Sequence, residues 1–384
     1  MLMQPVLIPR AVRFARHAVY LALLLPVVLL PLPKAAMAQA VEPLTVPDDR
    51  APSGLVVVIE NVPKKPSLDL QALNNPSISG VALQIHWSDL EPAENEPDWS
   101  KLDALFAAAQ TSKKWVQLLI FPGFFTPAWA LKGVETAPFP LQYGPGQGTV
   151  ESLPVPWDMV YLNRWFSFLD RLSARYGKSP SFRVIAADGP TSVSAEFTLP
   201  KSPADLRKWQ NLSYTSSKYI GAWQKVFQAY STDFPNQYVS LSAGSGQIGI
   251  NEQEEIERGG QSKTRQAIVD EAIGALGHRF VLQSSDVHAG AGPHAQNSEV
   301  EDSFVINYSG RIITGLQLRT SAENSSGVMG AEGNPPLALR KSIDLALEPN
   351  ADGRHVNYLE IYEPDVLADE MQSTLRYAAS LFAR

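Results

Sequence analysis

Eight short runs rich in β-branched and aliphatic residues recur along this chain, and most are separated by a longer stretch with apolar residues three and four apart. The runs are LVVVIE (Leu55 to Glu60), GVALQIH (Gly80 to His86), WVQLLIF (Trp115 to Phe121), FRVIAAD (Phe182 to Asp188), QYVSLSA (Gln237 to Ala243), FVLQSSD (Phe280 to Asp286), ITGLQLR (Ile313 to Arg319) and NYLEIYE (Asn357 to Glu363). Helical candidates include Trp99 to Lys113, Leu162 to Tyr176, Ala204 to Tyr230, Lys263 to Leu276 and Leu337 to Leu347. Strands that alternate with helices pair in parallel through right-handed crossovers, and eight of them allow the sheet to close on itself. The expected class is α/β, a (β/α)8 TIM barrel. The competing arrangement is an open doubly wound sheet. It lacks its Gly-rich phosphate turn, because Glu60-Asn61-Val62-Pro63 follows the first run. Gly244-Ser245-Gly246, after the fifth run, reads as a turn.

The first 38 residues read as an export signal. Arg10, Arg13 and Arg16 form a basic region, Val19 to Leu32 an apolar run, and Ala36-Met37-Ala38 a small-x-small cleavage site. A run of about 14 residues is short for a membrane span of about 20, so no stable membrane insertion is expected after cleavage. The expected organisation is a signal peptide at 1–38, a flexible tether at 39–53 and one barrel domain at 54–384, in a secreted or periplasmic protein. Removing the signal takes away four cations and no acid, so the net charge moves from −7 to −11. An acidic chain argues against a long nucleic-acid groove. The absence of Cys excludes disulfides, thiolate metal sites and a cysteine nucleophile.

Alternate residues of a barrel strand face the surrounding helices and must be apolar, while the others face the barrel interior. Val81, Leu83 and Ile85 therefore point outward in the second run, leaving Ala82, Gln84 and His86 inward. In the seventh run Leu316 and Leu318 point outward and Gln317 and Arg319 inward. In the eighth Leu359 and Ile361 turn Tyr358, Glu360 and Tyr362 inward, and the same rule brings Glu60 inward in the first. Glu60, His86, Asp188, Gln317 and Glu360 then form a polar collar near the carboxyl ends of five strands, the end where barrel enzymes carry their sites.

The segment from Ser79 to Asp103 runs from strand to a polar loop with Asp89, Glu91 and Glu94, then to a helix capped by Asp98-Trp99-Ser100. Its order, strand, W-S-x-L-E-P, D-W-S-x-L-D, resembles the second β/α unit of secreted (β/α)8-barrel glycoside hydrolases. Thr126-Pro127-Ala128-Trp129 is similar to the T-P-x-W loops that flank substrate in those enzymes. The loop from Asp188 to Pro200, with Glu196, resembles the G-P-x-x-x-E-x-x-x-P element of β-amylases, with longer spacing. Gln317 to Asn324 resembles the corresponding β-amylase stretch with Glu changed to Gln.

The resemblance implies cleavage of O-glycosidic bonds in an oligo- or polysaccharide by two carboxyl groups, one protonated to assist the leaving oxygen and one ionised. It assigns the donor role to Glu196, although Ala195 precedes it where the retaining clan has Asn. Gln317 stands where that clan has its nucleophile, and an amide cannot serve as one. Inward parity makes Glu360 the first choice for the second carboxylate. Glu323 is the next choice, followed by Glu363, Glu60 and Asp286. Expected substrate contacts are Glu60, His86, Trp87, Trp129, Asp188, Asp286, Gln317 and Tyr362, with Trp87 and Trp129 as sugar platforms. No organic cofactor is implied. Asp286, His288 and His294 match no standard metal spacing and read as a Gly-rich loop, so no metal is expected. The alternative reading is a catalytically inactive barrel that binds glycans in the cell envelope, favoured by Gln317.

Overall fold

A computed structural model describes residues 50–62, 65–142, 144, 146–194, 197–290 and 303–383. The expected signal peptide lies outside the described residues, as do residues 39–49 of the expected tether. Residues 50–53 pack against the amino ends of the strands: the Arg50 guanidinium donates to Phe182 O, and the Trp115 indole to Ser53 O.

All eight runs are strands of one closed, wholly parallel barrel. They are β1 (Gly54–Glu60), β2 (Ile78–His86), β3 (Trp115–Phe121), β6 (Phe182–Ala186), β7 (Tyr238–Ser242), β8 (Phe280–Val287), β9 (Ile313–Leu318) and β10 (Tyr358–Tyr362). Around the ring the order is β1-β10-β9-β8-β7-β6-β3-β2. Between β3 and β6 the chain adds an antiparallel hairpin, β4 (Thr136–Pro140) and β5 (Val150–Pro154), that the periodicity does not reveal.

The long helices are α1 (Ser100–Ser112), α2 (Met159–Tyr176), α3 (Pro203–Asn211), α4 (Ser216–Asp233), α5 (Gly260–Leu276), α6 (Pro335–Ala346) and α7 (Gln372–Phe382). The helix expected over Ala204 to Tyr230 is two helices. Ser213 takes a left-handed φ of 52°, and the Thr215 hydroxyl accepts from Lys218 N to start α4 afresh. Apolar spacing runs through this break because Trp209, Tyr214, Tyr219 and Trp223 all reach one core.

The strand parity holds. Leu55, Val57, Ile59, Val81, Leu83, Ile85, Leu316, Leu318, Leu359 and Ile361 join the core between sheet and helices. Val56, Val58, Ala82, Trp115, Leu119, Val184, Tyr238, Val281 and Tyr358 fill the lumen. The lumen pairs large rings with absent side chains. A Cβ on Gly315 would fall 2.2 Å from the Tyr358 ring, and one on Gly80 would fall 2.5 Å from the Trp115 ring. Those two rings meet edge to face at 5.7 Å and close the lower lumen.

Candidate active site at the barrel mouth

Because every barrel strand is parallel to its neighbours, the carboxyl ends gather at one mouth, and the last inward residues of the strands line it. His86 ends β2, and its ring stacks on Phe125 at 3.6 Å and 4°. Burial lowers the His86 pKa, with Asp89 opposing the shift. The imidazole Nδ1 lies 3.6 Å from Asp89 Oδ2, which accepts from the Asn61 amide at 2.8 Å; Asn61 in turn accepts from Lys101 at 2.7 Å. This chain of contacts fixes the plane of the histidine and presents a ring pair to the mouth.

Gln317 ends its inward run beside Tyr362. Its amide donates to the Tyr362 hydroxyl at 2.8 Å, and its oxygen accepts a long 3.4 Å contact from Gln84. Asp286 and Arg319, from β8 and just past β9, form a 2.9 Å ion pair at the rim. Two strands from β9 around the ring, Glu60 ends β1, and burial raises its pKa. Glu363 follows β10 as the first residue of a short helical turn. Burial, then Asp69 and Glu60, push its carboxyl up to about 7, with Lys65 opposing. Glu363 Oε1 is buried without a hydrogen-bond partner.

Glu196 lies outside the described residues, as does Ala195. Their described flanks are anchored at the mouth between β6 and β7. Phe197 N donates to Ser242 O at 3.3 Å, the Tyr219 hydroxyl donates to Phe197 O at 3.1 Å, and the Ser192 hydroxyl donates to Thr198 O at 2.7 Å. The β3 loop packs on the same segment through Phe124 N to Ser192 O at 3.0 Å. Only glycine fits at Gly123 there, since its φ is 58° and a Cβ would meet Ser192 O at 2.2 Å.

Several expected contacts stand elsewhere. Glu360 is fully buried in the lumen, against the amides of Gln283 and Gln117, so no substrate reaches it in this conformation. Parity gave its direction but not its depth. Trp87 is also fully buried. The chain turns helical at Trp87–Leu90 and swings the indole into the outer core, 5.1 Å from Trp165, with its N–H on Glu91 at 3.2 Å. Glu91 is itself sealed and paired to Arg171. Trp129, half-buried, packs edge-on against Trp87 and donates to Glu91 O at 2.9 Å, which braces that loop.

Asp188 is sealed beneath the β6 loop. Burial holds its pKa well above the carboxylate range, with Thr191 opposing, and it offers substrate no surface. Glu323 is exposed on the Ala322–Ser325 turn, and its backbone N–H donates to Asp365 at 2.8 Å. His288 sits with Nδ1 3.1 Å from Val328 O, and His294 lies outside the described residues. The mouth thus gathers Glu60, His86, Asp286, Gln317 and Tyr362. It adds Phe125, whose place in an aromatic-dense loop was its only sequence signal.

No protein-family profile matches the chain, and no curated protein matches it in sequence. Among solved structures, the catalytic domain of a beta-amylase from Paenibacillus polymyxa superposes with a TM-score of 0.55 at 10% identity, covering 85% of this chain and 98% of that one. An exo-beta-1,4-mannosidase from Opitutaceae bacterium strain TAV5 gives a TM-score of 0.48 at 12% identity, covering 87% of this chain and 60% of that one. The first likeness shows that this chain shares the closed (β/α)8 barrel of the beta-amylase domain.

Proposed function

We propose that this chain is a glycoside hydrolase that works at the barrel mouth, with Glu196 as proton donor and Glu363 as the carboxylate that activates water. The observation that carries this reading is the half-buried Glu363 carboxyl at the rim beside Glu60, with Oε1 buried and unpartnered, where burial pushes its pKa up to about 7. Glycoside cleavage needs an acid on one side of the scissile bond and a base on the other. In the ring order β10, which Glu363 follows, stands four strands from β6, which Glu196 follows in sequence. A group poised near 7 suits a general base better than a nucleophile, because its conjugate acid forms readily at working pH. Inversion at the anomeric carbon follows from that role. The His86–Phe125 ring pair offers an apolar surface to sugar C–H groups, and the Asp286–Arg319 pair and Tyr362 offer directional hydrogen bonds.

Export to the periplasm or exterior belongs to the same proposal, on the pattern of residues 1–38. A mature amino terminus after Ala38 supports it. Digestion of a panel of plant and bacterial glycans, with NMR of the first-formed anomer, tests the activity. Hydrolysis with inversion supports the reading; a protein that binds glycans and releases no product favours the inactive-barrel alternative. The observation behind that alternative is the Gln317 amide, bonded to Tyr362 and Gln84 at the end of β9.

A further inference from the structure

The middle of the lumen, a layer that barrels usually fill with branched apolar side chains, here holds three polar ones: Gln117 from β3, Gln283 from β8 and Glu360 from β10. Gln117 Nε2 donates to Gln283 Oε1 at 3.2 Å, and the Tyr358 hydroxyl donates to the same oxygen at 2.9 Å. The Glu360 carboxyl lies against both amides. Four polar atoms remain without a partner at this point: Gln117 Oε1, Gln283 Nε2 and both oxygens of Glu360.

These four atoms form a solvable set. With Gln117 Nε2 bonded to Gln283 Oε1, the amide atoms left without a partner are an acceptor, Gln117 Oε1, and a donor, Gln283 Nε2. The Tyr358 hydroxyl, donating to Gln283 Oε1, favours this orientation of the two amides over the flipped one. A carboxyl that satisfies both of these atoms accepts from Gln283 Nε2 and donates to Gln117 Oε1, which the neutral acid can do and the carboxylate cannot. An ionised carboxylate would turn one oxygen against an amide oxygen in a medium that screens little.

We propose that Glu360 carries a proton in the folded barrel, and that this proton closes a ring of three hydrogen bonds with Gln117 and Gln283, making the lumen a pH-sensitive lock. Glu360 donates to one amide oxygen, the other amide donates to Glu360, and the two amides bond each other. Burial raises the Glu360 pKa from 4.5 to about 8 against the opposing hydrogen bonds of the Gln283 and Gln117 amides, and no charged group contributes to the shift. Of the titratable and charged groups nearby, Tyr358 on its own strand donates its hydroxyl to Gln283. Tyr362 is bonded to Gln317, Arg319 is paired with Asp286, and Glu60 and His86 stand at the rim. None supplies a cation that would hold Glu360 ionised.

Carboxyl 13C NMR of the full chain labelled at Glu Cδ, with Glu360→Gln to assign the resonance, reads the proton directly. The expected midpoint lies above about pH 7, and a midpoint below about pH 5 would overturn the lock. Glutamine can donate and accept like the neutral acid, so Glu360→Gln is expected to fold, to match the wild-type Tm at about pH 5.5 and to exceed it at about pH 9. Glu360→Met has similar bulk but leaves both amide ends unpaired, and its Tm at about pH 5.5 is expected to fall below that of the Gln variant. A Gln variant that does not fold at about pH 5.5, or a Met variant as stable as the Gln variant, would contradict the ring.

Discussion

Glu360 and Glu363 stand three residues apart at the end of one strand, and burial raises the pKa of both. One is sealed in the lumen between two amides; the other is half-buried at the rim beside Asp69, Lys65 and Glu60. The lumen removes water and supplies fixed dipoles, so a carboxyl there is stable only as a neutral hydrogen-bonding group. The rim removes part of the water and adds like charges, so a carboxyl there exchanges its proton near neutrality and touches whatever enters the mouth. Interior polarity in this barrel serves the fold, and rim polarity is free to serve chemistry.

The largest effects should come from the mouth. Glu196→Gln is expected to reduce glycan turnover by roughly 10²–10⁴-fold with Tm unchanged, measured on any glycan that the wild type cleaves. Undiminished turnover would remove the donor assignment. A wild-type rate that rises as pH passes about 7 and a rate in Glu363→Gln without that limb would tie the base to the rim.

The interior gives the next effects, in stability rather than rate. Trp165→Ala, in the aromatic cluster of Trp87 and Phe168, should cost about 3–5 kcal/mol in denaturant unfolding. Glu360 ties stability to pH with a definite sign. Its folded-state pKa is raised, so its contribution is complete below the unfolded value of 4.5 and is lost as pH rises toward about 8. The unfolding free energy should therefore fall by about 1.4 kcal/mol per pH unit through that window in the wild type, and more gently in Glu360→Gln. The smallest effect belongs to the outer surface: Asp103→Asn, which breaks the solvent-screened pair with Arg175, should shift Tm least of these variants.

The contrast between lumen and rim also marks where sequence reasoning stops. Strand number, barrel closure and the inward direction of Gln84, Gln317, Glu360 and Tyr362 follow from periodicity, because a one-residue shift would bury polar groups among the helices. Depth along the barrel axis does not follow, since it depends on the stagger between strands far apart in the chain. Glu360 is level with Val56 of β1, two residues below the Val58–Tyr362 pair. Trp87 was misread because parity ends where the strand does, and a helical turn begins at that residue. Asp188 was misread for the same reason at the end of β6. The hairpin β4–β5 is hidden by Pro and Gly in a segment without alternation. Glu363 was legible only as a reserve choice, because its environment is assembled by Asp69, Lys65 and Glu60 from the other side of the chain closure.

The most direct test of this division is a paired measurement on Glu360→Gln and Glu363→Gln: Tm and glycan turnover at about pH 5.5 and about pH 8, each against wild type. The division predicts that Glu363→Gln keeps its Tm at about pH 5.5 and loses turnover, and that Glu360→Gln keeps turnover and shows a weaker pH dependence of Tm than the wild type. Loss of turnover at both pH values in Glu360→Gln, with full turnover in Glu363→Gln, would contradict it.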